Sequence, residues 1–299
     1  MQIQSLEASP PVGASQLKIT EPTNPWRWVG LVAMSVFGLW VVYQIIVNPG
    51  FQWDVVASYF FARPVLLGVL STLELTALVM AIGIILGILV AVMQLSGNGQ
   101  LKFAGNAFVW FFRGVPPLVQ LIFWYNLATL FPDVSFGIPF GGPKLWSMSA
   151  TEAISPFTAA MLGLGLVEAA YMAEIVRAGL LSVDPGQSEA SKAVGHRPLQ
   201  TFFVVVLPQA MKAIVPPTGN QVIGALKFTS LASIVSLGEL MHSVETIYSR
   251  TFETIPLLIV ASLWYLVLVS ILTVVQFFIE RHFSKGWQAQ AVNPAGRTK

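Results

Sequence analysis

The 299-residue chain has no cysteine, few charges and only three histidines. Without cysteine there is no disulfide and no thiolate ligand, and the redox compartment leaves no mark. His196, His242 and His282 stand far apart in sequence, so no metal site is expected. Charged residues make up 10% of the chain, against about 25% in soluble domains. A net charge of +2 is too small to draw nucleic acid as a partner. No Gly-x-x-x-x-Gly-Lys-Ser/Thr loop is present, which excludes ATP hydrolysis by a phosphate loop of that kind. His-Glu-x-x-His and Gly-x-Ser-x-Gly are missing as well. No catalytic residue is assigned, and the chain is read as a non-enzyme that binds no cofactor itself.

Apolar sequence fills the space that charge leaves. The chain is 55% hydrophobic, with a mean hydropathy of +0.71. Runs of about 20 apolar residues match the thickness of a bilayer, which predicts an all-α integral membrane protein with about six transmembrane helices. Residues 1–25, with Pro10, Pro11, Pro22 and Pro25, read as a flexible tail. Trp26 and Trp28 flank Arg27 like an interfacial belt. The first span is expected over 29–48. A cleaved signal peptide fits poorly there, because the polar lead is too long and no small-x-small site follows. Residues 49–64 form a connection, and the second span covers 66–95. It carries Gly83 and Gly87 at the spacing that lets helices approach closely. The third span, 107–131, contains Pro116-Pro117, and residues 132–152 read as a Gly- and Pro-rich external loop. The fourth span covers 154–181. The fifth, 211–237, is expected to break near its start at Pro216-Pro217, and the sixth covers 255–279. The resulting division is a tail at 1–25, an added helix and connection at 26–64, a core at 66–280 and a basic tail at 281–299.

Six spans put both termini on one side of the membrane. That side holds Lys18, Arg27, Lys102, Arg113, Arg177, Lys192, Arg197, Lys212, Arg281, Lys285, Arg297 and Lys299. The other side has Arg63, Lys144, Lys227 and Arg250. The bias of positive charge toward the cytoplasm then places both termini and the loop at 182–207 inside the cell.

That loop is the most patterned polar stretch of the chain. Asp184 can cap a helix that opens on Pro185, and Gln187, three residues after the cap, can complete a capping box. Gly195 is a natural stop, and Pro198 can open the next helix. Ionisable residues within the spans are costly and functional by default. Glu174 and Arg177, three residues apart, read as a structural pair at the cytoplasmic end of the fourth span. Glu74, Lys227 and Glu168 fall roughly 12, 15 and 20 Å below the outer surface at 1.5 Å of rise per residue. Two readings stay open for them. Lys227 pairs with a glutamate and locks two helices, or the three groups match the carboxylate and ammonium of an amino acid in transit. Asn220, Thr229 and Ser230 join them as candidate pathway residues.

Several spaced blocks carry a family resemblance. Glu189-Ala190-Ser191, three residues, Gly195, nine residues, then Val205 to Leu207-Pro208 resembles the EAA loop of ABC importer permeases. Ser191 stands for the second alanine of that pattern and Val205 for its isoleucine. AYMAEIVRAG (170–179), Gly186-Gln187, FFRGVPPLVQ (111–120) and LKFTSLASIVSLGEL (226–240) resemble the polar-amino-acid, histidine/glutamine type. Phe228 departs from the aspartate often found there, and Glu168 stands where small or hydroxyl residues are usual. The resemblance implies a type I importer core of five helices plus one extra N-terminal helix, in a bacterial cytoplasmic membrane. It implies that Asp184, Gln187, Glu189, Ala190, Gly195, Leu207 and Pro208 form a coupling segment that sits in a groove of an ATPase. The implied partners are two ABC ATPase subunits, which hold ATP and Mg, a second permease copy or paralogue, and an extracytoplasmic amino-acid-binding protein, all within membrane lipid. A secondary amino acid transporter driven by an ion gradient is the competing class. It would show an internal repeat of broken helices, and no such self-similarity joins the two halves.

Overall fold

The computed structural model describes residues 25–131, 133–137 and 144–283. The tail expected at 1–25, except Pro25, lies outside the described residues, as do the middle of the loop expected to be external and the basic tail beyond 283. Five described helices are long and apolar enough to cross a membrane: Trp28–Val47, Arg63–Leu95, Pro156–Leu181, Pro198–Val235 and Thr254–Phe283. The all-α fold class holds, with one small hairpin as the exception.

The first unit, Met1–Phe51, contains α1 (Pro25–Val47). Aromatic and aliphatic side chains are exposed along its whole length, from Trp28 through Phe37 and Trp40 to Val47. Such a surface is stable only in lipid or against another protein.

The second unit is Gln52–Lys299. It opens on α2 (Trp53–Phe60), inside the stretch expected as a bare connection. Val56 is buried in a cluster with Val65, Leu240, Val244, Leu257 and Val260, so α2 packs as part of this unit. Trp264 Nε1 donates to Phe60 O at 2.8 Å. The centre of the unit is α3 (Arg63–Leu95) against α7 (Pro156–Leu181). Small residues bring these two helices together. A Cβ on Gly83 would lie 2.8 Å from Glu168 Cβ, and one on Gly87 would lie 2.5 Å from Met172 Cβ. Gly163 meets Leu121 Cα in the same way, at 2.8 Å. Close backbone approach of this kind replaces hydrophobic driving force in lipid, where helices associate by van der Waals contact. Gly87→Leu is therefore expected to cost about 1–3 kcal/mol by overpacking, seen as a lower melting temperature and lower yield of the detergent-solubilised protein. An unchanged Tm would show that the two helices can part without loss.

The third expected span is not one helix. Residues 99–130 form α4 (Gly99–Gly114) and α5 (Pro117–Leu130), bent by 102° relative to each other. Pro116 and Pro117 have no N–H, and a residue before proline is pushed toward extended backbone. Val115 sits at φ −96°, ψ 130° accordingly. Gln120 satisfies the carbonyls that the break leaves over: its Nε2 donates to Phe112 O at 3.0 Å and to Val115 O at 2.9 Å.

The loop expected to be external contains a hairpin that composition did not reveal. Strand β1 (Asp133–Gly137) pairs antiparallel with β2 (Lys144–Ser149), Asp133 opposite Ser149 and Phe136 opposite Trp146. A short turn of helix, α6 (Ala150–Ala153), follows. Ser155 then caps α7 by accepting from Thr158 N at 3.2 Å.

Past α7 come α8 (Pro185–Ala193), α9 (Pro198–Thr201), a single π-turn at Phe202–Val206 and α10 (Leu207–Phe228). Pro216 and Pro217 lie inside α10 and do not break it, contrary to the expected break. Packing against α7 and α12 holds the helix through them, as neighbouring helices do in membranes. Thr218 Oγ1 adds a bond to Ile214 O at 2.8 Å. The real break lies farther on. Thr229–Val235 tightens into a 3₁₀ turn that ends at Ser236, φ 59°, and α11 (Leu240–Thr251) follows. The last helix, α12 (Thr254–Phe283), covers the sixth expected span.

Candidate functional site: a capped inter-span segment and buried polar contacts

Residues 182–197 lie between two spans, and the segment 184–201, which runs on into the first turn of the second span, is largely exposed. Asp184 is the N-cap of α8 and its Oδ1 accepts from Gly186 N at 2.7 Å. The capping box expected from Gln187 does not form. The Gln187 side chain instead accepts, through Oε1, from Gln209 Nε2 at 3.4 Å. A reciprocal contact appears one helix later, where Gln200 Oε1 accepts from Arg197 N at 2.9 Å. Gly195 has φ +87°, and a Cβ there would meet nothing within 4 Å; its requirement is for backbone conformation, not space. Glu189 and Ala190 are exposed on α8, and Leu207 and Pro208 open α10.

Ser191 is 5% exposed and ties the segment together. Its hydroxyl lies 2.9 Å from His196 Nδ1 and 3.0 Å from Thr201 Oγ1. The alanine of the EAA pattern could make neither bond. Val194 and Leu199 are 74% and 73% exposed, an apolar surface on a polar segment.

Glu174 and Arg177 pair as expected, with Arg177 Nη2 2.9 Å and Nε 3.2 Å from the carboxylate. The pair is the centre of a larger network. Gln94 Nε2 reaches Glu174 Oε1 at 3.1 Å and Asn106 Oδ1 at 3.1 Å. Arg113 lies 3.8 Å from Glu174 Oε2 and 5.1 Å from the centre of the Tyr171 ring. The ends of α3, α4 and α7 are thus joined through one carboxylate.

The candidate pathway residues do not converge in the isolated chain. Glu168 is 1% exposed; its Oε2 accepts from Gln221 Nε2 at 2.7 Å, while Oε1 has no partner among the described residues. Glu74 and Lys227 are exposed, and among the described residues neither takes part in an ion pair. A lock between Lys227 and a glutamate is therefore not formed. Asn220 Oδ1 accepts from Gln276 Nε2 at 3.2 Å. Thr229 Oγ1 and Ser230 Oγ turn back to the carbonyls of Leu226 and Lys227. A separate cleft of about 530 Å³ lies between α3, α7, α10 and α12. Its wall of Ile84, Met172, Met211, Val222 and Leu272 is apolar, and it holds neither Glu168 nor Lys227.

Residues 83–285 match the family model described as the binding-protein-dependent transport system inner membrane component. The chain belongs to this family. It is similar to the arginine transport system permease protein ArgU of Corynebacterium glutamicum, 42% identical over 265 residues, or 88% of this chain and 82% of that protein. It is also similar to the probable amino-acid permease protein YxeN of Bacillus subtilis, 35% identical over 239 residues, or 79% of this chain and 98% of that protein. Among solved structures, a chain of an amino acid ABC transporter crystallised with histidines matches with a TM-score of 0.63 and 30% identity, covering 76% of this chain and 97% of that one. This is a permease subunit of the ABC importer class, and the reading as an ion-gradient-driven secondary transporter is set aside.

Sequence reasoning passed over one buried carboxylate in this permease. Glu239 is fully buried and caps α11: its oxygens accept from Met241 N and His242 N, each at 2.8 Å. Tyr265 OH adds a third donor at 3.0 Å, and Thr72 Oγ1 lies 3.5 Å away while accepting from Leu240 N at 3.1 Å. One side chain thereby fastens α11 to α3 and α12. The signal was a lone glutamate directly after Gly238 and before an amphipathic run, a weak one because glutamate is uncommon as a cap.

Proposed function

We propose that this chain is half of the translocation path of an ATP-driven importer for polar amino acids, with a preference for cationic ones. The observation that carries the reading is the exposure of Glu74 and Lys227 on apolar membrane helices of the single chain. Charge facing hydrocarbon is costly, so such residues face a bundle interior or a watered cavity. A second permease copy or paralogue supplies the other wall of that cavity. Lys227 then meets the substrate carboxylate, Glu74 the α-ammonium, and Glu168 the cationic side chain once its helix pair opens. The similarity to an arginine transport permease supports this order of preference.

Two ABC ATPase subunits hold ATP and Mg on the cytoplasmic side. An amino-acid-binding protein delivers the substrate on the outer face of the bacterial inner membrane, and both termini are cytoplasmic. Segment 184–201 docks in the ATPase groove, with Glu189, Ala190 and exposed Val194 and Leu199 as its contact face. ATP binding closes the ATPase dimer, and the paired permeases swing from inward-open to outward-open. Arginine uptake by proteoliposomes holding the permease, its ATPase and its binding protein is expected to stop when ATP is omitted. It is expected to continue when ionophores abolish ion gradients. The reverse pattern would overturn the reading.

A further inference from the structure

Between α9 and α10 the helix widens for one turn. In the π-turn Phe202–Val206, Leu207 N–H donates to Phe202 O, five residues back. The cause is Pro208, which has no N–H for Val204 O and whose ring would press on that carbonyl in a regular helix. Widened turns of this kind are rare and concentrate at functional sites. Phe203 and Val204 are 60% and 64% exposed while Phe202, Val205 and Val206 are half-buried, so one face of the turn is free of side-chain packing. On one side of it, Ser191, His196 and Thr201 hold α8 and α9 in a single hydrogen-bonded piece. On the other, α10 runs through the membrane carrying Gln221, Lys227 and the 3₁₀ break.

One side chain spans this joint. Gln209 Nε2 donates to Val205 O at 3.0 Å, inside the π-turn, and to Gln187 Oε1 at 3.4 Å, on α8. The same amide thus joins α8, the π-turn and α10. Neither glutamine is charged and neither faces a substrate group, so their service is mechanical.

We propose that the π-turn 202–206 is the joint about which α8 and α9 move as one piece, and that Gln209 is the positioning residue that carries this movement into α10. The proposal rests on the coupling role given above to segment 184–201. Without the Gln187–Gln209 contact, α8 can follow the ATPase while α10 lags, so ATP is spent without transport.

The test uses the complete complex in proteoliposomes, with ATP hydrolysed per arginine taken up as the readout. Gln209→Leu and Gln187→Leu are each expected to raise that ratio about fivefold, the low end of ordinary coupling between sites. The double variant is expected to raise it no further, since both remove one contact. A second readout needs no transport. The chain has no cysteine, so Val194→Cys and Ala213→Cys, both exposed, place spin labels cleanly on the two sides of the joint. In full-length protein in nanodiscs, Gln209→Leu is expected to broaden the distance distribution between them. An unchanged ratio with an unchanged distribution would overturn the proposal, as would effects of the two variants that multiply. If the unmodified complex takes up no amino acid with ATP, the importer reading fails, and the spin-label distances alone decide the joint.

Discussion

Gly195→Val is expected to cut amino-acid uptake at least about tenfold, a loss of ~1.4 kcal/mol in coupling, while the chain still inserts and assembles. Gly195 holds φ +87°, where a β-branched residue is a true outlier. Forcing a side chain into that region costs about 1–3 kcal/mol. Because a Cβ there would meet nothing within 4 Å, the cost is not a clash that neighbours can absorb. The backbone must leave the left-handed region, and α8 is then re-aimed relative to α9. The membrane helices lie beyond the segment and keep their packing. ATPase activity should persist without matching uptake, measured together in proteoliposomes. Gly195→Asn is the control, since asparagine tolerates left-handed backbone and should retain most uptake. Normal transport by the valine variant would remove the coupling role from this turn.

Glu168→Gln is expected to lower uptake of arginine and lysine about tenfold and to leave glutamate uptake unchanged or raised. The substitution keeps the shape of the side chain and an oxygen for the 2.7 Å bond from Gln221. It removes the capacity for negative charge, and turns the second carboxylate oxygen into an amide donor, at a site that is 1% exposed. Charge in such a place is costly unless it is used, and the unpartnered Oε1 leaves an acceptor for a cationic group. Uptake of the two substrate classes measured side by side decides the matter. An equal loss for both, or no loss for either, would reduce Glu168 to a link between α7 and α10.

How far the sequence could be read depended on the range of the interactions. The cap at Asp184 and the left-handed turn at Gly195 were legible because they are local: an Asp before Pro, a Gly after a helical window. The Glu174–Arg177 pair was legible because residues three apart on a helix must be neighbours. The Gln187 capping box failed for a tertiary reason, since Gln209, twenty-two residues on, reaches the same side chain. Pro116-Pro117 and Pro216-Pro217 carry the same residues and met opposite fates. The first pair bends its span by 102°, while the second is carried inside an unbroken helix packed against α7 and α12. No local rule separates those outcomes, because neighbouring helices decide whether a proline in a membrane helix is tolerated.

By itself the sequence determined that this chain lies in a membrane, roughly where it crosses, and which segment emerges between two crossings. These follow from the water-to-lipid cost of each residue and from short-range caps, both additive along the chain. Only the tertiary structure decided where α3 and α7 touch through Gly83 and Gly87, that Glu168 pairs with Gln221 and not with Lys227, and that Glu239 fastens three helices. Those contacts join residues far apart in sequence, so their geometry is fixed by packing that no single stretch encodes.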